Sequence, residues 1–148
     1  MKKIKNLSPI IIIYTMKKFS SFFMAFALLF TALAVQAQED CSKKTISWAV
    51  DECFVNNKEA TEKVLNSEYL AAKQRTVEEY SYDDKVVKQQ LQMMLDTQRN
   101  WLKYREGQCE MEASVADKNS NAWLSLLSEC INKLDKQRIA QFKEMPYG

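Results

Sequence analysis

Residues 98–110 read QRNWLKYREGQCE. At about 100° per residue, Gln98, Trp101, Arg105 and Cys109 share one helix face. An amide, an indole, a guanidinium and a thiol in a row have the makings of an active site. They also suit the inside of a stapled bundle, and the flanking sequence favours that second reading. Between Gln38 and Met145 there is one glycine, Gly107, and no proline. No strand-like alternation appears in that span, and Gln, Lys, Glu, Ala and Leu are common, so the chain reads as all-α.

Three helical segments follow from the apolar spacing. The first spans about 45–79, with Ile46, Ala49, Cys53, Ala60, Val64 and Ala71 on a common face. Asn56 and Asn57 inside it are weak helix formers and mark an expected irregularity. The second spans about 83–116. Its main face runs Val87, Leu91, Met94, Gln98, Trp101, Arg105 and Cys109. A second stripe, Val86, Met93, Tyr104, Met111 and Val115, predicts a helix placed between two neighbours. If that stripe is instead exposed, a dimer or a client-binding role follows. The third segment runs from Ser120, a good N-cap, to about Met145, with Trp123, Leu127, Cys130, Leu134 and Gln141 inward. The breaks at 78–84 and 117–121 are short and polar. Consecutive helices are therefore expected to be antiparallel, in a three-helix bundle of helical hairpins.

Folding the second and third segments about residues 119–120 brings Cys109 opposite Cys130. The same register sets Trp101 near Arg138, Arg105 near Leu134 and Gln98 near Gln141. A guanidinium of Arg138 stacked on Trp101 would contribute about 1 kcal/mol. Cys41 and Cys53 would be about 18 Å apart if the whole interval were helical, too far to bond. They come within reach if residues 41–44 fold back over the helix start. Folding about Ser81 also sets Cys53 level with Cys109, so the pairing Cys53–Cys109 with Cys41–Cys130 stays open behind Cys41–Cys53 with Cys109–Cys130.

The four cysteines sit in a chain that carries export signals. Lys17 and Lys18 precede an apolar run from Phe19 to Val35, and Val35-Gln36-Ala37 places small residues before Gln38. That is the order of a secretory signal cleaved after Ala37, with Met16 a plausible start and residues 1–15 an upstream extension. The domain is then 38–148. An even cysteine count in an exported chain implies two disulfides. Gln38-Glu39-Asp40 before Cys41 is too polar for lipid attachment. Cleavage leaves no membrane segment and a periplasmic or secreted product. Of the 21 Lys and Arg, five precede residue 38, whereas all 19 Asp and Glu follow it, so residues 38–148 carry a net charge of −3. There is no basic stripe for nucleic acid.

The sequence has no histidine, which removes the commonest general base and metal ligand. It offers no phosphate loop and no nucleophile elbow, and the cysteine spacing is not that of a zinc site. No catalytic residue, metal or cofactor is expected. The surface feature that stands out is 78–84, where four acids flank Tyr80 and Tyr82. With Asp83 and Asp84, these tyrosines are the candidate contacts for a basic protein partner.

Asp51-Glu52-Cys53, Leu65-Asn66 with Tyr69, and Gln98-Arg99-x-Trp101-x-x-Tyr104-Arg105 with Cys109 form one pattern. Cys130 and Gln137-Arg138 complete it. In this pattern the chain resembles the LprI-type lysozyme-inhibitor N-terminal domain family, small exported cysteine-containing helical domains. The resemblance covers nearly all of 38–148. It implies Leu65, Asn66, Tyr69, Gln98, Trp101, Arg105 and Arg138 as motif and core positions. It also implies a non-catalytic protein that binds lysozyme or another cell-wall hydrolase. The alternative is an envelope interaction module of other purpose, such as a toxin-immunity protein or an assembly scaffold. The family's prototype is a lipoprotein, and this chain departs from it in lacking the attachment signal. The oligomeric state is not fixed by the sequence.

Overall fold

The computed structural model describes residues 38–147. The extension, the signal sequence and the cleavage junction up to Ala37 lie outside the described residues. A 3₁₀ turn at Cys41–Lys43 precedes three helices. They are α1 (Ser47–Glu79), α2 (Asp84–Ala113) and α3 (Asn121–Lys143). Among the described residues there is no strand, and no helix is long and apolar enough to cross a membrane. The fold is all-α, an antiparallel succession of three helices carrying two disulfides.

Local chemistry sets the helix ends. Asp83 caps α2, its carboxylate accepting from the N–H groups of Lys85 and Val86 at 2.8 and 3.4 Å. Asp84 in the first turn adds a favourable charge at the positive end of the helix dipole. Ser120 caps α3 by accepting from the Trp123 N–H at 3.1 Å. Just before it, Asn119 takes a left-handed conformation, φ 66°, which Asn tolerates better than most residues. Asn56 and Asn57 cause no break, and α1 runs straight through them. Asn57 is buried and uses its amide twice on one residue, donating to the Glu39 carbonyl at 2.7 Å and accepting from the Glu39 N–H at 3.0 Å. The expected irregularity is instead the dock for the segment that enters α1.

Interhelical bonds give the register. Asp51 meets Ser125, Thr61 meets Asn132, and Arg75 meets the Phe142 carbonyl. Both numbers rise together, so α1 and α3 are parallel. Gln98 with Arg138, Arg105 with Asp135, and Cys109 with Cys130 run in opposite senses, so α2 is antiparallel to α3. The most enclosed helix is therefore α3, which packs mainly on α1 and also on α2, whereas α2 meets α1 less extensively and leaves its second stripe largely exposed. Apolar spacing conceals this, since the extra inward positions of α3 are Ser125, Ser128 and Asp135, all buried.

The inner face of α1 differs from the expected one for a similar reason. It is Cys53, Asn57, Thr61, Leu65, Ala72 and Thr76, whereas Ile46 and Val64 are about half exposed. Small and hydroxyl-bearing residues let α1 and α3 approach and hydrogen-bond across the contact. Toward the α1–α2 loop the core is Leu65, Ala72, Met94, Ile139 and Phe142. Near the α2–α3 turn it is Ile131 with the Cys109–Cys130 disulfide. That bond spans Cα atoms 5.4 Å apart, and Cys41–Cys53 spans 5.6 Å. The pairing is thus Cys41–Cys53 with Cys109–Cys130: the second follows from the α2–α3 register, and the first is met by residues 41–43 folding back over the start of α1.

Candidate functional site

The mixed face of α2 is interior. Arg105 is buried and its Nη1 donates to Asp135 at 2.8 Å, with Glu62 of α1 at 3.3 Å. Asp135 is 0% exposed. Burial pushes its carboxyl above the ordinary carboxylate value, against the opposing pull of Arg105. The register placed Arg105 by Leu134; the residue one position on is its partner. Trp101 lies between two guanidiniums, with the Cζ atoms of Arg105 and Arg138 each 5.6 Å from its ring. Arg138 also stacks on Phe142 at 4.6 Å. The expected contact between Gln98 and Gln141 is replaced by an inserted cation. Arg138 donates from Nε to Gln98 at 3.0 Å and from Nη1 to Gln141 at 2.8 Å. Desolvation lowers the Arg138 pKa from its ordinary value.

Leu65 is buried in the same core, and Tyr69 packs on Phe142 with ring centroids 5.3 Å apart. Asn66 departs from the expectation. It is exposed, because one helical step past inward-facing Leu65 turns it about 100° away. The other motif and core positions are buried or half-buried in the scaffold, while Glu52, Arg99, Tyr104 and Gln137 of the same pattern are exposed like Asn66.

The surface chemistry concentrates where α1 meets α2. Tyr82 is 77% exposed, and its ring stands edge-on to that of half-buried Tyr80 at 6.4 Å. Glu78, Glu79, Asp83 and Asp84 are exposed around them. Asp83 is occupied as the α2 cap, which leaves Asp84 the freer acid. A contribution that apolar spacing does not reveal comes from the end of the chain. Arg75 holds the segment after α3 by donating to the carbonyls of Phe142 at 2.7 Å and Met145 at 3.0 Å. Tyr147 is thereby brought to the same end and is 60% exposed. A cavity of about 210 Å³ lies between, lined by Thr76, Tyr80, Gln90, Met94, Met145 and Tyr147. The tip thus presents three tyrosines, acids and a shallow hollow on a rigid bundle end. The Pro146-Tyr147 pair is the sequence signal that could have added it.

The opposite end carries a wider cleft of about 480 Å³ along Gln38–Ser42. Its charges, from Glu39, Asp40 and Glu129 against Lys44 and Lys136, are mixed and give no dominant sign. Gln38 binds Asn57, Thr61 and Asn132 there, tying the entering segment across α1 and α3.

These features define a class: a small disulfide-stapled helical domain with a polar scaffold inside and an aromatic, acidic end outside. The chain belongs to the Lysozyme inhibitor LprI family, whose profile matches residues 41–142. It is similar to an uncharacterized protein of Rhizobium meliloti (strain 1021), 31% identical over 117 residues, which are 77% of this chain and 84% of that protein. No solved structure matches the chain. The matched region begins at Cys41 and ends at Phe142, so it takes in both disulfides and the buried Arg105–Asp135 and Arg138 contacts.

Proposed function

We propose that this is an exported, non-catalytic inhibitor of lysozyme or a related cell-wall hydrolase, acting through the α1–α2 tip. The family match over the whole stapled domain carries this reading. The tip supplies the chemistry: exposed Tyr82 and Tyr147 offer rigid aromatic anchors, and Asp84 with Glu78 and Glu79 attracts a basic enzyme. Residues 1–37 act as extension and signal, and cleavage after Ala37 delivers the 38–148 domain to the periplasm or outside. Two disulfides suit that oxidising compartment.

The test is a comparison of tip variants in a lysozyme inhibition assay. Tyr82→Ala and Asp84→Lys should each weaken inhibition by about tenfold while circular dichroism stays helical. Asp83 is left intact, because losing its cap would unsettle α2. Inhibition that is unchanged in both variants would remove the tip from the mechanism. The second reading, an envelope interaction module of other purpose, is favoured by the exposed apolar stripe on α2.

A further inference from the structure

Cleavage after Ala37 would make Gln38 the first residue of the domain. A glutamine in that position has a chemistry that an internal glutamine lacks. Its unprotonated α-amine attacks its own side-chain carbonyl carbon, Cδ. An N–Cδ bond forms and the Cδ–Nε2 bond breaks. The amide nitrogen leaves as ammonia, carrying the proton that the amine sheds. The product is a pyroglutamyl lactam, uncharged at the terminus and without Nε2.

In this fold that amide is engaged. Nε2 donates to the Asn57 carbonyl at 3.2 Å, to Asn132 Oδ1 at 2.7 Å and to Thr61 Oγ1. All three partners present oxygen, so the slot takes the nitrogen of the amide and not its carbonyl. Thr61 and Asn132 also bond to one another at 2.6 Å, which joins the α1 and α3 walls of the slot. The following residue is held as well. Asn57 accepts from the Glu39 N–H at 3.0 Å and donates to the Glu39 carbonyl at 2.7 Å. Beyond it, the Cys41–Cys53 bond ties the segment to α1. Residue 38 is thus fixed from two sides, its backbone through Glu39 and its amide through the slot.

We propose that Gln38 is a cyclisation site whose reactivity the fold controls. Docked between α1 and α3, the terminal amide stays open, and it closes to pyroglutamate only when the segment leaves its slot. The proposal rests on cleavage after Ala37 and is independent of what the tip binds. Ring closure takes χ1 and χ2 off their staggered values. It also makes Cδ tetrahedral, which swings Nε2 away from acceptors fixed on two helices and leaves them without that donor. In the unfolded chain the same side chain turns freely. The docked amide serves the fold in return. With Nε2 gone, the lactam has lost the bridge from the entering segment to α1 and α3.

Intact-mass spectrometry tests this on protein exported from its full-length precursor and purified with both disulfides formed. The mass identifies the first residue, and loss of one ammonia marks the closed ring. An open Gln38 terminus is expected. At neutral pH the folded protein should cyclise at least about tenfold more slowly than the same protein reduced and held in guanidinium chloride. Thr61→Val with Asn132→Leu removes two of the three acceptors and leaves both disulfides in place. Its rate should rise toward that of the unfolded chain while circular dichroism stays helical. A first residue other than Gln38 would overturn the proposal together with the cleavage reading. A Gln38 terminus recovered already closed, or one that cyclises as fast folded as unfolded, would overturn protection by the slot and leave the cleavage reading standing. A helical double variant no faster than the wild type would overturn it equally.

Discussion

Asp135→Ala should be among the most damaging single changes in this protein. The carboxylate is fully buried, and Arg105 donates to it at 2.8 Å from a position that is itself 8% exposed. Removing Asp135 leaves that guanidinium in the interior with Glu62, longer at 3.3 Å and a third exposed, as its remaining partner. Breaking a buried ion pair from one side costs about 3–5 kcal/mol. Retention of Glu62 puts the expected loss near the lower end, about 3 kcal/mol. In a domain of this size that is a fall in melting temperature of about 12–20 °C. Asp135→Asn should cost much less, because it keeps an oxygen for Arg105 and removes the charge that burial disfavours. The double change Arg105→Met with Asp135→Leu should recover most of the loss, since apolar replacements of buried pairs are often neutral. Urea unfolding followed by circular dichroism measures all four proteins. A loss below about 1 kcal/mol for Asp135→Ala, or a double variant as unstable as that single one, would mean that Arg105 does not depend on Asp135 for its place in the interior.

The same carboxyl makes a pH prediction. Its folded pKa lies above the ordinary value of 3.8, so its contribution to stability is fullest below 3.8 and declines as pH rises through the raised value. Relative to Asp135→Asn, the wild type should therefore lose stability between pH 3 and neutrality, as read from urea midpoints; a gain would reverse the assignment. Replacing Cys109 and Cys130 by serine opens a bond of sequence separation 21 and should cost about 3 kcal/mol in the chain-entropy model, read by thermal melting. Ser120→Ala removes the α3 cap bond at 3.1 Å and should cost about 1 kcal/mol by the same measurement.

Much of the fold was legible because α2 and α3 obey simple rules. A main apolar face on each, a capped turn between them and two cysteines at matching register fix the hairpin. The Trp101–Arg138 stack follows from the same alignment. The α1–α3 contact was not legible, because its cross-helix bonds are made by Asp51, Thr61, Ser125 and Asn132. Such residues look like surface in a hydrophobicity pattern and become interior only when they find one another. Asp135 was hidden likewise, as a lone acid beside the apolar Leu134. At the candidate site, Tyr80, Tyr82, Asp83 and Asp84 stood out by composition. Tyr147 did not, since its arrival at the tip depends on Arg75 holding the Phe142 and Met145 carbonyls, a contact across about seventy residues of sequence. Asp83 shows the opposite limit: a conspicuous acid that is an N-cap by geometry.

A stapled domain that binds and blocks a wall-cutting enzyme, as proposed, should protect cell walls from lysis. Titrating the purified, oxidised protein into lysis of cell-wall suspensions by chicken-type, goose-type and invertebrate-type lysozymes tests it most directly. Dose-dependent protection that saturates near one inhibitor per enzyme is expected for at least one of the three. Full lysis by all three at a large molar excess of the protein would contradict it.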